Sequence, residues 1–160
     1  MLSNLFKIFK HSKKVLASPV NGIIKEITAV DDEGFASKVV GDGFAVSPTD
    51  GSVVAPIDGL VAAVFHTGHA IVIKNDEGIE VLIHVGIDSV TLNGEGFHVK
   101  IEEGQRVKIG DLLLVFDFAL LKQKIPSLDV IVVLTSGQQC CVIEPGKQVA
   151  MGEENVAEIM

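Results

Sequence analysis

Tryptophan and tyrosine are absent from this chain of 160 residues, and cysteine is confined to one adjacent pair, Cys140-Cys141. Without the two polar aromatics, a platform for stacking nucleic-acid bases has only phenylalanine to draw on. Two neighbouring cysteines supply neither a disulfide framework nor the separated pairs of a zinc site, which points to free thiols in a reducing compartment. The body of the chain also lacks any run of Lys or Arg, and the formal charge is −8. Phosphate-backbone affinity depends on clustered cations, so the balance argues against nucleic acid and suits a basic or mixed protein surface. No apolar run approaches the roughly 18–20 residues needed to cross a bilayer. A secretory pattern is missing too, because the N-terminal charges interrupt the apolar residues instead of preceding them. The expected location is the cytoplasm.

What the chain does contain is 48% hydrophobic residues, enough over this length for one well-buried core. Residues 1–14 stand apart from residues 15–160, which are expected to form the functional domain. Leu2, Leu5, Phe6 and Phe9 recur at the spacing of one helical face, and Lys7, Lys10, Lys13 and Lys14 add charge. That segment takes four of the thirteen cations and no acid, leaving nine cations against twenty-one acids elsewhere, a net of −12. A short basic amphipathic helix of this kind suits the surface of an anionic membrane, and a frayed tail is the other reading.

From residue 17 onward, short Val- and Ile-rich runs alternate with Gly, Pro, Asp and Asn, the signature of an all-β, antiparallel β-sandwich or barrel. Strands are expected at Gly22–Thr28, Gly51–Ala55, Gly59–Phe65, His69–Lys74, Ile79–Val85, Phe97–Ile101, Leu112–Asp117, Val130–Leu134 and Cys140–Ile143, with a helical turn at Phe118–Lys124 before Pro126. Two blocks occur twice. Ser18-Pro19-Val20-Asn21-Gly22 matches Ala55-Pro56-Ile57-Asp58-Gly59, and residues 104–111 match residues 146–153. A duplicated unit closed into one sandwich is expected, since two copies are too few for a solenoid.

His69 and His84 flank Asn75-Asp76-Glu77-Gly78. If those four residues form the hairpin connection, Lys74 pairs with Ile79 and His69 falls opposite His84, with cross-strand Cβ atoms about 4.5–5.5 Å apart. In that register Ala70, Val72, Ile79, Val81 and Ile83 face the core, and His69, Ile71, Ile73, Glu80, Leu82 and His84 face outward. Ile71 and Leu82 then form an apolar collar of the kind a transient docking surface needs.

A neutral imidazole is a good nucleophile near neutral pH, and it needs one fixed tautomer. A local carbonyl such as that of Gly86 can hold the Nδ1 proton of His84 and leave Nε2 free to accept a phosphoryl group. His69, held by the Thr67 hydroxyl, is placed to stabilise the transferred oxygens. Asp88 is a candidate docking carboxylate, and His66 and His98 are read as surface groups. Gly41-Asp42-Gly43 and Gly94-Glu95-Gly96 lack the Lys-Ser/Thr of a P-loop and are read as turns. No cofactor is called for. Zinc has only His69 and His84 to bind, so a partner would have to complete its site. Two other readings are a non-catalytic regulatory binder on the same fold and a lipoyl- or biotinyl-type carrier, although no Met-Lys-Met or Asp-Lys-Ala sequence is present.

The stretch Phe65-His66-Thr67-Gly68-His69-Ala70, with Leu82-Ile83-His84-Val85-Gly86-Ile87-Asp88-Ser89-Val90, Leu92-Asn93-Gly94-Glu95-Gly96-Phe97 and Val40-Gly41-Asp42-Gly43-Phe44-Ala45, resembles the glucose-type IIA component of the bacterial phosphoenolpyruvate-dependent sugar phosphotransferase system. The resemblance runs from about Val15 to the C-terminus. It implies an antiparallel β-sandwich phosphocarrier that takes phosphate from HPr and passes it to a cysteine of a IIB domain. Carried over residue by residue, it makes His84 the acceptor, His69 its support, Thr67 the hydroxyl partner and Gly86 the carbonyl partner. It places docking contacts at Phe35, Phe65 and Val90, with acidic neighbours Asp32 and Asp88. Some relatives also regulate transporters or glycerol kinase.

Overall fold

The computed structural model describes residues 14–160. Eight antiparallel strands form the main sheet in the order β13 (Gln148–Val149), β2 (Gly22–Glu26), β3 (Asp42–Pro48), β11 (Ser127–Leu134), β7 (Glu80–Ile87), β6 (Ala70–Lys74), β5 (Gly59–Val64) and β9 (Arg106–Val107). One smaller sheet joins β1 (Lys14–Leu16), β14 (Ala157–Ile159) and β12 (Cys140–Val142), and another joins β4 (Ser52–Val54), β10 (Leu112–Phe116) and β8 (Phe97–Val99). One hydrophobic cluster draws from all three sheets, including Phe44, Ile83 and Val132 of the main sheet with Leu16 and Leu114 of the smaller ones. The amphipathic reading of residues 1–14 lies outside the described residues except at Lys14, which is extended in β1.

Helix is sparse. The expected turn forms as α2 (Phe118–Lys124): Asp117 accepts from the Leu120 N–H, and the chain leaves the helix at Ile125 ahead of Pro126. A second helical turn, α1 (Glu33–Ala36), has Asp32 as its cap, accepting from Phe35 N at 3.2 Å. It is too short for periodicity to reveal.

The duplicated blocks build equivalent halves. Gly22 pairs with Val149 at one end of the main sheet, and Gly59 pairs with Val107 at the other. The Asn21 side chain accepts from Met151 N at 2.8 Å, just as Asp58 accepts from Ile109 N at 2.7 Å. Sheet order runs symmetrically outward from the central β7–β11 pair.

The hairpin register differs from the expected one by one residue. Lys74 pairs with Glu80 and His84 stands opposite Ala70. Asn75 is the cause. Its side chain accepts from Glu77 N and Ile79 N at 3.0 and 2.9 Å, and its own N–H donates to the Ile79 carbonyl at 2.9 Å. Asn75 and Ile79 therefore close a three-residue loop that ends on Gly78 at φ 83°. The β7 faces stay as expected, but those of β6 exchange. Ile71 and Ile73 enter the main core, while Ala70 joins Leu82 in a second cluster on the other side of the sheet. The outward placement of Ile71 is thereby corrected, since it is fully buried.

Gly41-Asp42-Gly43 is not a simple turn either, because Asp42 and Gly43 open β3. Gly43 is there because backbone approaches it: a Cβ would stand 1.8 Å from the Val132 carbonyl oxygen. Gly94-Glu95-Gly96 does form a turn, with φ 90° at Gly94 and 84° at Gly96.

Candidate functional site

His84 lies near the middle of the main sheet, on β7 between Ala70 of β6 and Ile131 of β11. Its face is the one turned away from the main core, above the small cluster that includes Leu82, Ile131 and Val133. His69 immediately precedes β6 and follows Gly68 at φ 73°, so strand alternation does not govern its direction. The methyl of Ala70, the direct partner of His84, leaves room beside it. The two imidazoles meet with ring centroids 5.0 Å apart and planes at 82°. The expected pair thus exists, but a loop delivers His69 where a cross-strand partner was expected.

Aromatic rings wall the pair. Phe35 of α1 packs 5.0 Å from the His84 ring, Phe65 lies edge-on 5.6 Å from His69, and Phe97 approaches His69 at 6.5 Å. Asp32 enters the site through α1. Phe65 and Val90 are exposed, at 43% and 53%, and Asp88 is exposed too. Leu82 is buried beneath the rings and Ile71 lies in the main core, so neither presents a docking surface. His66 and His98 are exposed, as expected.

Thr67 Oγ1 lies 2.5 Å from His69 Nδ1. Around His84, Nδ1 is sealed from solvent and makes no contact of full hydrogen-bond geometry. The expected Gly86 carbonyl thus closes no full hydrogen bond on Nδ1, although the Gly86 backbone, like the Asp32 carboxylate, favours the protonated ring. Gly86 has φ 80°, and a Cβ there would meet Ile125 Cδ1 at 2.6 Å.

Burial, and after it the neighbouring His69, push the His84 pKa down from 6.5 to about 4, against the opposing effects of the Gly86 backbone and Asp32. Burial also lowers the pKa of His69. His84 is therefore neutral at pH 7. The sign for stability follows. Between pH 6.5 and about 4 the unfolded chain takes up a proton that folded His84 refuses, so this contribution is complete above 6.5 and lost as pH falls towards 4. The expected loss is roughly 2–3 kcal/mol. Urea unfolding of wild type and His84→Gln at pH 7 and 4.5 should show a shallower pH dependence in the variant; identical slopes would contradict the assignment.

Cys140 is half-buried, with burial and the Asp42 carboxylate pushing its thiol up to about 12, and Cys141 is exposed. Among the described residues no group of three or more His, Cys, Asp or Glu is arranged to hold a metal ion. Zinc at His69 and His84 therefore needs a ligand from elsewhere. Nor is any described helix long and apolar enough to cross a membrane.

Three comparisons bear on this site. Residues 14–140 match the family described as phosphoenolpyruvate-dependent sugar phosphotransferase system, EIIA 1. The PTS system glucose-specific EIIA component of Halalkalibacterium halodurans is 43% identical over 152 residues, covering 90% of this chain and 88% of that protein. That of Bacillus cereus is 43% identical over 137 residues, covering 85% and 83%. The solved structure of glucose permease IIA from Mycoplasma capricolum superposes with a TM-score of 0.86 at 31% identity, covering 93% of this chain and 97% of that one. Fold and site together define a β-sandwich phosphocarrier. The chain belongs to the EIIA 1 family of the sugar phosphotransferase system.

Sequence reasoning assigned no role to Asp129. It is 5% exposed on β11 and carries an ion pair to Lys25 on the same side of the main sheet as His84. The only signal was an acidic residue inside an otherwise apolar run.

Proposed function

We propose that His84 accepts a phosphoryl group on Nε2 from HPr and hands it to a cysteine of a IIB domain at the cytoplasmic face of the membrane during sugar uptake. The observation that carries this reading is the sealing of Nδ1, which leaves Nε2 as the one ring nitrogen able to meet a partner. In acceptance, the Nε2 lone pair forms the new P–N bond while the donor's bond to phosphorus breaks and its electron pair returns to the donor. In the second step a IIB thiolate forms P–S, and the P–N electron pair returns to Nε2. The pKa of about 4 keeps the attacking nitrogen unprotonated at neutral pH.

His69 supplies the second function. With the Thr67 hydroxyl donating to its Nδ1, the His69 proton sits on Nε2 and can bond the phosphoryl oxygens. Phe35 and Phe65, which pack on the rings, and the exposed Val90 offer both partners apolar contacts, with Asp32 and Asp88 steering basic groups towards them. Residues 1–14 supply a basic segment for an anionic membrane.

Incubating the full chain with phosphoenolpyruvate, enzyme I and HPr, then mapping acid-labile phosphate, should locate it on His84 alone. Label at another residue, or none, would overturn the reading. His69→Gln should keep acceptance within about tenfold of wild type while onward transfer falls by on the order of 10²-fold, because the nucleophile remains and an oriented donor is lost. Equal losses in both half-reactions, measured by rapid quench, would remove that division of labour.

A further inference from the structure

Asp129 is a buried carboxylate that phosphoryl transfer, as described above, does not use. Its Oδ1 accepts from Ser47 Oγ at 2.9 Å, its Oδ2 pairs with Lys25 Nζ at 2.5 Å, and its N–H donates to Ser127 Oγ at 3.1 Å. These contacts tie β2 and β3 to a short stretch of β11. That stretch is irregular: pairing with β7 jumps between Ser127, opposite Ile87, and Val130, opposite Val85. Gly86 therefore faces the bulge. The Ser127 carbonyl lies 3.3 Å from where a Gly86 Cβ would stand, and Ile125 Cδ1 lies 2.6 Å from it. Ser89 Cβ crowds the same point, also at 3.3 Å, and the residue is completely buried with its hydroxyl unpartnered. Gly86 is thus held in a cage whose β11 wall is fastened by Asp129.

We propose that Asp129, anchored by Lys25 and Ser47, is a positioning residue for phosphoryl transfer: it locks the β11 bulge against Gly86, and so fixes the backbone that sets the His84 ring. A bulge disrupts the strand ladder locally and re-aims neighbouring groups, which leaves side-chain contacts such as those of Asp129 to hold it. Near a reacting atom, displacements of about 1 Å can cost up to 10²-fold in rate. Asp129 acts two links away from the ring and touches neither phosphate nor partner. The proposal rests on His84 as the acceptor.

The test compares wild type, Asp129→Ala, Asp129→Asn and Ser47→Ala in the full chain. ¹⁵N NMR of His84 reads its tautomer directly, and rapid quench with phospho-HPr reads acceptance per folded molecule. Asp129→Ala should move His84 from one tautomer towards a mixture and slow acceptance roughly tenfold, while Asp129→Asn, able to keep the Ser47 bond, should recover to within about threefold. A lower melting temperature with unchanged His84 nitrogen shifts and rate would make Asp129 a structural ion pair only and overturn the proposal. Should Asp129→Ala fail to fold, Ser47→Ala must shift the same nitrogen signals in the same direction, and its failure to do so would overturn the proposal too. Phosphate mapping to another residue in wild type would sink the acceptor reading instead, a result the His84 nitrogen spectra do not depend on.

Discussion

His84→Gln is expected to abolish phosphoryl acceptance, with the rate from phospho-HPr falling by at least about 10⁴-fold. The replacement keeps a polar side chain of similar length under Phe35, whose ring lies 5.0 Å from that of His84, so the pocket should keep its shape. What disappears is the nitrogen lone pair, because an amide nitrogen delocalises its pair into the carbonyl. His69 cannot take over, since it is 4% exposed and its Nδ1 is engaged with Thr67. Radiolabel transfer with circular dichroism as a folding control settles the point. A folded variant that labels at the wild-type rate would show that phosphate goes elsewhere.

Gly43→Ala is expected to prevent folding at 25 °C, a large effect for one methyl group. That methyl would stand 1.8 Å from the Val132 carbonyl oxygen and 2.9 Å from its carbon. Both are backbone atoms in the pairing of β3 with β11, so no rotamer change relieves the contact, and the two strands must separate. Contacts this short cost several kcal/mol against a total stability of about 5–15 kcal/mol. The damage would reach the site, because Ile131 of β11 pairs with His84. Soluble Gly43→Ala protein melting within about 5 °C of wild type would show that the strands can part locally at little cost.

The sequence was most legible where patterns are local. The turn Phe118–Lys124 was legible from the stop at Pro126, because a helix stop acts on its immediate neighbours, whereas Asp117, expected to end a strand, proved to be its cap. The duplicated turns were legible because each copy needs a side-chain oxygen at the same place, from Asn21 or Asp58, to hold a backbone N–H. β3 was hidden by Gly41 and Gly43 at its start, which let a distant strand approach. The hairpin register was misjudged by one residue. A four-residue and a three-residue loop fit the same alternation, and the choice came from the Asn75 side chain closing on Ile79. That error exchanged the faces of Ile71 and Ala70, yet the histidine pair survived it, because His69 lies outside the strand.

By itself the sequence determined an all-β chain with a repeated unit and a short list of reactive side chains, since turn chemistry, alternation and nucleophilicity belong to residues and their near neighbours. Only the tertiary structure decided that Phe35 covers His84, that Nδ1 is sealed, and that Asp129 lies on the same side of the sheet. Those facts depend on strands far apart in the chain coming within a few ångströms, and burial, which turns an ordinary imidazole into one neutral down to about pH 4, exists only once they have done so.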